Sequence, residues 1–438
     1  MVRTGNEGQP VRVAVLGAGN VGGALVRLLL DDPEGIAERS GVRLELLAVA
    51  VSDPARERPG IPTALVTGDA KALVTDPGVD VVVELIGGID PARELIEAAL
   101  AAGKPVVTGN KALLAAHGAA LAAAAAEAGV DLLYEAAVAG AIPIIRPLRE
   151  SLAGEKVRRV MGIVNGTTNY ILTTMAEEGL PYDEVLAEAQ RLGLAEKDPT
   201  ADVDGHDAAA KAAILAGLAF RCDVVDGDVY REGIARVTPL DIAFADRLGY
   251  VVKLLAVAER AGGEELSVRV HPAMVPKTHP LASVRGSFNA VFIEGDSAGE
   301  LMLYGRGAGG VPTASAVLGD LIDAAHNLLA GSAAPAPARA RARLQPIDEI
   351  RSAYYLSIEV ADRPGVLAAV ATVFGDHGVS IRSMEQQGLG DEARLVFLTH
   401  LAREGDVRAT LAGLEALPAV DLVGGVLRVV GDEDGAGR

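Results

Sequence analysis

The sequence predicts an α/β protein of more than one domain, led by a parallel sheet with helices on both faces. Three observations carry that expectation. Short Val/Ile/Leu runs alternate with helical patterns from Val11 to about residue 134, and near-continuous apolar strands are what a sheet buried on both faces requires. The first run ends in a glycine-rich turn that opens an apolar helix. The length of 438 residues, half of them hydrophobic, suffices for two or three domains with real cores.

The elements follow in order. VRVAVL (11–16) reads as a buried strand, and GAGNVGGALVRLLL as a turn and helix. LELLAVAV (44–51), VDVVVELIG (79–87), KPVVTGN (104–110) and VDLLYEAAV (130–138) add strands, with helices between them. Together they predict a Rossmann-type parallel sheet over 10–134, with the helix 311–330 returning to it. From about 135 to 310 the pattern becomes mixed α/β. RRVMGIVNGTTNYIL (158–172) combines a strand with a polar turn. PYDEVLAEAQRLG (181–193) and GHDAAAKAAILAGLAF (205–220) read as helices, and 267–276, 288–295 and 300–307 as antiparallel strands. GSAAPAPARARARLQP has no apolar period and rich Ala, Pro and Arg, so 331–348 reads as a linker. Residues 349–432 then run β-α-β-β-α-β, the ferredoxin-like order. GDEDGAGR (431–438) reads as a frayed end.

Composition excludes several function classes. The net charge of −19 repels nucleic acid and anionic membrane, so neither is expected as a partner. One cysteine excludes a disulfide framework and a Cys-based zinc site and fits a reducing compartment. No basic segment precedes an apolar run at the N-terminus, and no apolar stretch is long enough to span a bilayer. A cytoplasmic protein is the expectation. His117, His206, His271 and His279 show no metal-ligand spacing, and Cys222 reads as a packing residue.

Three motifs carry chemistry. Gly17-Ala18-Gly19-Asn20-Val21-Gly22 fits GxGxxG between a strand and a helix. Gly17 permits the tight turn, Gly19 admits a pyrophosphate to the backbone, and Gly22 allows close helix packing. The alternative is a tight turn and nothing more. After the second strand, Asp53 suits a ribose hydroxyl, whereas Arg56 and Arg58 suit a 2′-phosphate, so NAD and NADP both stay open. Thr108-Gly109-Asn110-Lys111 lies at a strand end, where open α/β sheets bind ligands. Lys111 there reaches a cofactor or substrate oxygen, or else solvent. The third motif runs from Gly193 to Lys211 and crowds Glu196, Asp198, Asp202, Asp204 and Asp207 around a helix start. Asp207 and Lys211 stand four apart on one face. A lysine in so apolar a helix wants a carboxylate partner or a proton-transfer role.

These motifs together resemble homoserine dehydrogenase. The resemblance runs through GAGNVG (17–22), VVVELIGG (81–88), TGNK (108–111), EAAVAGAIPII (135–145), NGTTNYIL (165–172), GLAEKDPTADVDGHDAAAK (193–211) and GRGAGGVPTASAVLGD (305–320), in register over about 10–330. The C-terminal segment resembles an ACT domain, with Asp362-Arg363-Pro364-Gly365-Val366-Leu367 at its first turn. The chain departs from the family pattern at Leu194, typically Tyr, at Gly109, typically Ala, and at Ser52, often Arg.

The resemblance implies NAD(P)-dependent interconversion of L-homoserine and L-aspartate 4-semialdehyde, in threonine, methionine and isoleucine biosynthesis. It implies Lys211 as the acid/base lysine, Lys111 as a second site lysine, and Glu196 and Asp207 as substrate ligands. Gly17, Gly19, Asn20, Val21, Gly22, Lys111, Gly193 and Gly309 would line the cofactor. Val138, Gly140 and Ile142 carbonyls with Glu135 would hold a sodium ion. It further implies a homodimer or higher oligomer built on the 135–310 domain, which would be both catalytic and dimerising. L-threonine is the implied feedback effector at the ACT domain, which the linker reading makes dispensable for chemistry. The competing expectation is a catalytically silent regulator that senses dinucleotide and amino acid. Retention of both lysines with the acids between them favours the enzyme. The lack of a plausible cysteine nucleophile disfavours aspartate-semialdehyde dehydrogenase.

Overall fold

The computed structural model describes residues 9–263, 265–334, 340–388 and 392–431. Residues 335–339 of the expected linker and the expected frayed end from 432 on lie outside the described residues. The chain forms two compact units. The first takes residues up to Val157, Ala213–Asp226 and Leu303–Arg341; the second takes Arg158–Ala212, Gly227–Met302 and the chain from Ala342 on.

The first unit is built on six parallel strands: β1 (Val11–Leu16), β2 (Leu44–Ala50), β3 (Val66–Thr67), β4 (Val81–Glu84), β5 (Val106–Thr108) and β6 (Leu132–Leu133), in the order β3-β2-β1-β4-β5-β6. That is the order in which the chain reverses direction across the sheet between β1 and β4. Alternation along β1 feeds two cores. Val11, Val13 and Val15 pack with helix α1 (Asn20–Asp31) and the returning helix at Gly310–Ala330, whereas Ala14 and Leu16 pack with α2 (Ala92–Ala101) and α3 (Lys111–Ala128). β6 is much shorter than the 130–138 run suggests. The chain leaves the sheet because the Glu135 amide donates to the Asp320 carboxylate at 2.6 Å, and a 3-10 turn over Glu135–Ala137 follows.

The second unit is one long mixed sheet. Its strands are β7 (Val157–Ile163), β9 (Tyr250–Gly262), β10 (Glu265–Pro276), β11 (Phe288–Gly295), β12 (Gly299–Arg306), β14 (Arg351–Ala361), β15 (Ile381–Gly388), β16 (Glu392–Thr399) and β17 (Val420–Val429). The order is β12-β11-β7-β9-β10-β17-β14-β16-β15, and the short β8 (Tyr230–Arg231) and β13 (Arg343–Leu344) also pair with β10. The local pattern over 250–262 predicts no strand. Lys253 interrupts its apolar run, and only the antiparallel partner β10, in register from Tyr250↔Pro276 to Gly262↔Glu265, declares it a strand.

Two further expectations need correction. NGTTNYIL is no turn: Asn165 accepts from the Thr168 amide at 2.9 Å and starts helix α4 (Gly166–Glu178). A side-chain cap of this kind offsets the weak helix propensity of Thr and Asn. Next, the ferredoxin-like segment does not hang on a free tether. Arg343–Leu344 pairs with β10, and β17 hydrogen-bonds in parallel to β10 at Ala273↔Arg428 and Met274↔Val429. Its internal order is nevertheless as read, with α10 (Val366–Asp376) and α11 (Glu404–Glu415) over one face.

Candidate active site

A cleft of about 920 Å³ opens at the β1/β4 crossing of the first unit, lined by Gly17, Gly19, Asn20, Ser52, Arg56, Arg58 and Gly310, among others. The glycines divide its construction between them. Gly17 has φ +95°, and a Cβ there would stand 2.6 Å from the Leu85 carbonyl oxygen; a Cβ on Gly22 would collide with the Gly17 carbonyl. Gly19 meets nothing within 4 Å, so its backbone is bare toward the cleft. A cradle that a side chain would fill, at the N-terminus of α1, fits a dinucleotide pyrophosphate. Val21 and Gly22 support this turn from behind, Val21 packing against the core. Asp53 does not line the cleft; its carboxylate accepts from the Ala55 amide at 3.1 Å.

Lys111 is the first residue of α3 and is exposed. A lysine there opposes the helix dipole, and the helix start that carries it is fastened through Asn110, Thr108 and Glu84. Asn110 caps the helix through the Leu113 amide at 3.2 Å and donates to the Gly88 carbonyl at 2.6 Å. The Thr108 hydroxyl accepts from the Asn110 amide and donates to Glu84 at 2.6 Å. Glu84, fully buried, also accepts from the Ile86 amide at 2.7 Å. No sequence motif assigns Glu84 a role; the one local signal for it is a lone acid ending an all-valine strand. Gly109 packs closely, since an added Cβ would meet Leu85 Cδ2 at 3.2 Å.

In the second unit, the N-terminal half of helix α7 (His206–Ala219) brings Asp207 and Lys211 together. Lys211 Nζ donates to Asp207 Oδ2 at 2.6 Å and to the Val164 carbonyl at 2.7 Å; both side chains are about nine-tenths buried. Asn165 Nδ2 donates to the same Asp207 oxygen at 2.9 Å and to Asp202 at 2.6 Å. One amide therefore ties the start of α4 to the short helix α6 (Thr200–Val203) and to α7. Asn165 was missed as a site residue because its cap role and its site role use different atoms. Glu196 is exposed and stands outside this hydrogen-bonded group, on a loop whose Glu196 and Lys197 carbonyls accept from Gln190 at 3.0 and 3.3 Å. Gly193 has φ +72° and belongs to the same loop. Leu194 is fastened by its carbonyl, which accepts from the Thr167 hydroxyl at 2.7 Å, so the loop's anchor does not depend on which side chain stands there.

The loop after β6 contains two successive left-handed residues, Ala139 and Gly140, each with φ 58°. Ala141 donates to the Arg306 carbonyl and Ile142 to that of Ala139. No hydrogen bond to the buried carbonyls of Val138, Gly140 or Ile142 is seen among the described residues. Both Glu135 carboxylate oxygens face amides: Oε1 accepts from Ile144 at 2.5 Å and Ile145 at 2.7 Å, and Oε2 from Arg146 at 2.9 Å. Gly309, at φ +123°, caps the returning helix α9 (Gly310–Ala330), and Gly310 approaches the Asn20 carbonyl where a Cβ would stand 2.7 Å away. No cluster of three His, Cys, Asp or Glu able to hold a metal occurs among the described residues, and no described helix is long and apolar enough to cross a membrane. At the C-terminal turn, Gly365 (φ +92°) opens α10 and Asp362 accepts from Gln386 at 3.4 Å.

A bare-backbone cleft at the reversal point of such a sheet, in a chain that also buries a lysine against a carboxylate, defines an NAD(P)-dependent oxidoreductase. Residues 17–135 match the family model "Homoserine dehydrogenase, NAD binding domain", 143–322 match "Homoserine dehydrogenase" and 354–419 match "ACT domain". The homoserine dehydrogenase of Corynebacterium glutamicum is 50% identical over 97% of each chain, and that of Mycobacterium tuberculosis 51% over 97% of this chain and 98% of its own. The crystal structure of a homoserine dehydrogenase from Thiobacillus denitrificans superposes with a TM-score of 0.91 at 40% identity, covering 96% of this chain and 98% of that one. A hyperthermophilic archaeal homoserine dehydrogenase in complex with NADPH gives a TM-score of 0.61 at 29% identity over 72% of this chain and 98% of its own. The chain belongs to the homoserine dehydrogenase family and carries a C-terminal ACT domain. The silent-sensor alternative is not favoured.

Proposed function

We propose that this chain reduces L-aspartate 4-semialdehyde to L-homoserine, and runs the reverse, with Lys211 as proton donor and acceptor and NADP as the preferred cofactor. The observation that carries the proton role is the buried Lys211–Asp207 pair. Asp207 holds the ammonium group in place, and the Val164 carbonyl orients it. A nicotinamide cofactor supplies or accepts the hydride. Lys211 delivers a proton to the oxygen that develops negative charge as the aldehyde is reduced, and takes it back in the oxidation. Asp207 and Glu196 offer negative charge to the substrate ammonium group. Lys111 supplies a second positive charge near the cofactor or substrate, held at the head of α3 by Asn110.

The cofactor preference rests on Ser52, Arg56 and Arg58 lining the cleft while Asp53 turns to its own loop; guanidinium groups suit a 2′-phosphate. Gly193 and Gly309 would admit the cofactor from their respective loops. A sodium ion fits the turn at 138–142: hard carbonyl oxygens from Val138, Gly140 and Ile142 suit it, with Glu135 fixing the turn. A homodimer is favoured by β12, a terminal strand of its sheet whose Leu301, Met302 and Tyr304 are exposed at 36%, 37% and 53%. L-threonine is the proposed effector of the ACT domain, and the cytoplasm the proposed location.

The test is absorbance at 340 nm with L-homoserine, run with NADP and NAD in parallel on wild type and Lys211→Ala. The expected result is faster turnover with NADP at equal concentration and a 10²–10⁴-fold lower kcat for the variant. Wild-type turnover by Lys211→Ala removes the proton role.

A further inference from the structure

The last strand of the C-terminal domain brings a buried arginine to the catalytic segment of the second unit. Arg428 on β17 is 4% exposed. Its Nη1 and Nη2 donate to the two carboxylate oxygens of Glu232 at 3.0 and 2.8 Å, and its Nε and Nη2 to Glu404 of α11 at 3.0 and 2.8 Å. Glu232 belongs to the catalytic segment and Glu404 to the C-terminal domain, so one guanidinium bridges the two. The pairing depresses the Glu232 pKa below the ordinary carboxylate range despite its burial.

The three residues from Glu232 to Ile234 form a strap with an anchor at each position. The Glu232 amide donates to the Val270 carbonyl of β10 at 2.8 Å, and its carboxylate is held by Arg428. Gly233 lies directly on the chain at Val203–Asp204, where a Cβ would stand 2.8 Å from Asp204 Cα. The Ile234 amide donates to the Val203 carbonyl at 2.9 Å. Val203 ends α6, and Gly205, whose added Cβ would meet the Glu232 carbonyl at 3.4 Å, leads directly into α7 with Asp207 and Lys211. Asn165 pins this junction from one side through Asp202 and Asp207; the strap pins it from the other.

We propose that Glu232 and Arg428 are positioning residues for the dehydrogenase reaction: their buried ion pair, formed between the catalytic segment and the last strand of the ACT domain, holds the 203–207 junction so that Asp207 and Lys211 keep their geometry. The physical basis is that a bidentate, desolvated carboxylate–guanidinium pair has one geometry and resists sliding, while the strap it fixes has no side chain at Gly233 to absorb a shift. A displacement of the reacting groups by about 1 Å costs up to about 10²-fold in rate. The C-terminal domain thereby contributes to turnover as well as to regulation, and any ligand that moves β17 acts on the junction through this pair.

The inference rests on the proton role of Lys211, and its test is separable from that one. Full-length Arg428→Met, Arg428→Lys and the isosteric Glu232→Gln are compared with wild type, with folding followed by circular dichroism at the assay temperature. For Glu232→Gln and Arg428→Met we expect kcat/KM for L-homoserine to fall about 10- to 100-fold, the KM for NADP to stay within about twofold, and Arg428→Lys to recover part of the loss. A pair that serves stability alone lowers Tm and leaves the kinetic constants of the folded enzyme at wild-type values in Glu232→Gln and Arg428→Lys; that result overturns the proposal. If Arg428→Met does not fold, the other two variants decide. Wild-type activity in Lys211→Ala would instead overturn the proton role and leave the kinetic effect of Glu232 to be read by itself.

Discussion

Single atoms decide how substitutions at Gly19 and Gly22 of the expected cofactor turn behave. Gly19 faces open space, where an added Cβ meets nothing within 4 Å, so Gly19→Val projects into the proposed pyrophosphate site. The expected outcome is at least a tenfold rise in KM for NADP with Tm unchanged, read by initial rates and by calorimetry. Gly22→Ala places its methyl group against the Gly17 carbonyl, so it lowers both Tm and cofactor affinity. Lys253 gives a titratable counterpart. It is buried in β9, where its Nζ donates to Asn169 at 2.9 Å and to the Val284 carbonyl at 2.6 Å, and burial lowers its pKa to about 8. The unfolded chain, near 10.5, binds more protons than the folded one between those values. The penalty of holding a buried ammonium is therefore full below about pH 8 and relieved as pH rises from about 8 toward 10.5. Wild type should gain on Lys253→Met by about 2–3 kcal/mol between pH 7 and 10, measured by urea unfolding; a pH-independent difference would show that the fold does not lower the Lys253 pKa.

At the scale of elements, helix starts do much of the positioning. Asn110 caps α3 and so aims Lys111; Asn165 caps α4 and also holds Asp202 and Asp207. Asn110→Ala should cost about 0.5–2 kcal/mol of stability and raise the KM for NADP or substrate, with kcat less affected. Unaltered kinetic constants in that variant would show that Lys111 needs no aiming. These elements were legible in the sequence to different degrees. The β1–α1 turn and the 206–219 helix could be read directly, because their patterns are local. The long strand β9 and helix α4 could not: Lys253 and Asn169 look out of place until each is seen to satisfy the other.

For the whole molecule, the continuity of β10 with β17 changes what a truncation means. A chain ending before the C-terminal domain leaves β10 without its β17 partner at Ala273 and Met274 and Glu232 without Arg428. It also removes Tyr355, whose hydroxyl donates to the buried Asp241 at 3.1 Å. The expected outcome is a truncated protein with lower Tm and reduced kcat, where a freely tethered domain would have left both intact. If, as proposed, threonine inhibits through the ACT domain and β17, its inhibition should be weaker in Arg428→Lys than in the wild-type full chain. Light scattering on the full chain should report about twice 44.9 kDa for a dimer. The sequence by itself determined the parallel sheet, its dinucleotide turn, the lysine–carboxylate spacing on α7 and the ferredoxin-like order, since each is written in neighbouring residues or in a helical or strand period. Only the tertiary structure decided that Asn165 joins Asp202 to Asp207, that Glu84 fastens Thr108 and through it Asn110, and that Arg428 reaches Glu232. Those partners lie 24 to 196 residues apart, and a buried polar side chain takes its partner from whatever the fold brings beside it, which no local pattern encodes.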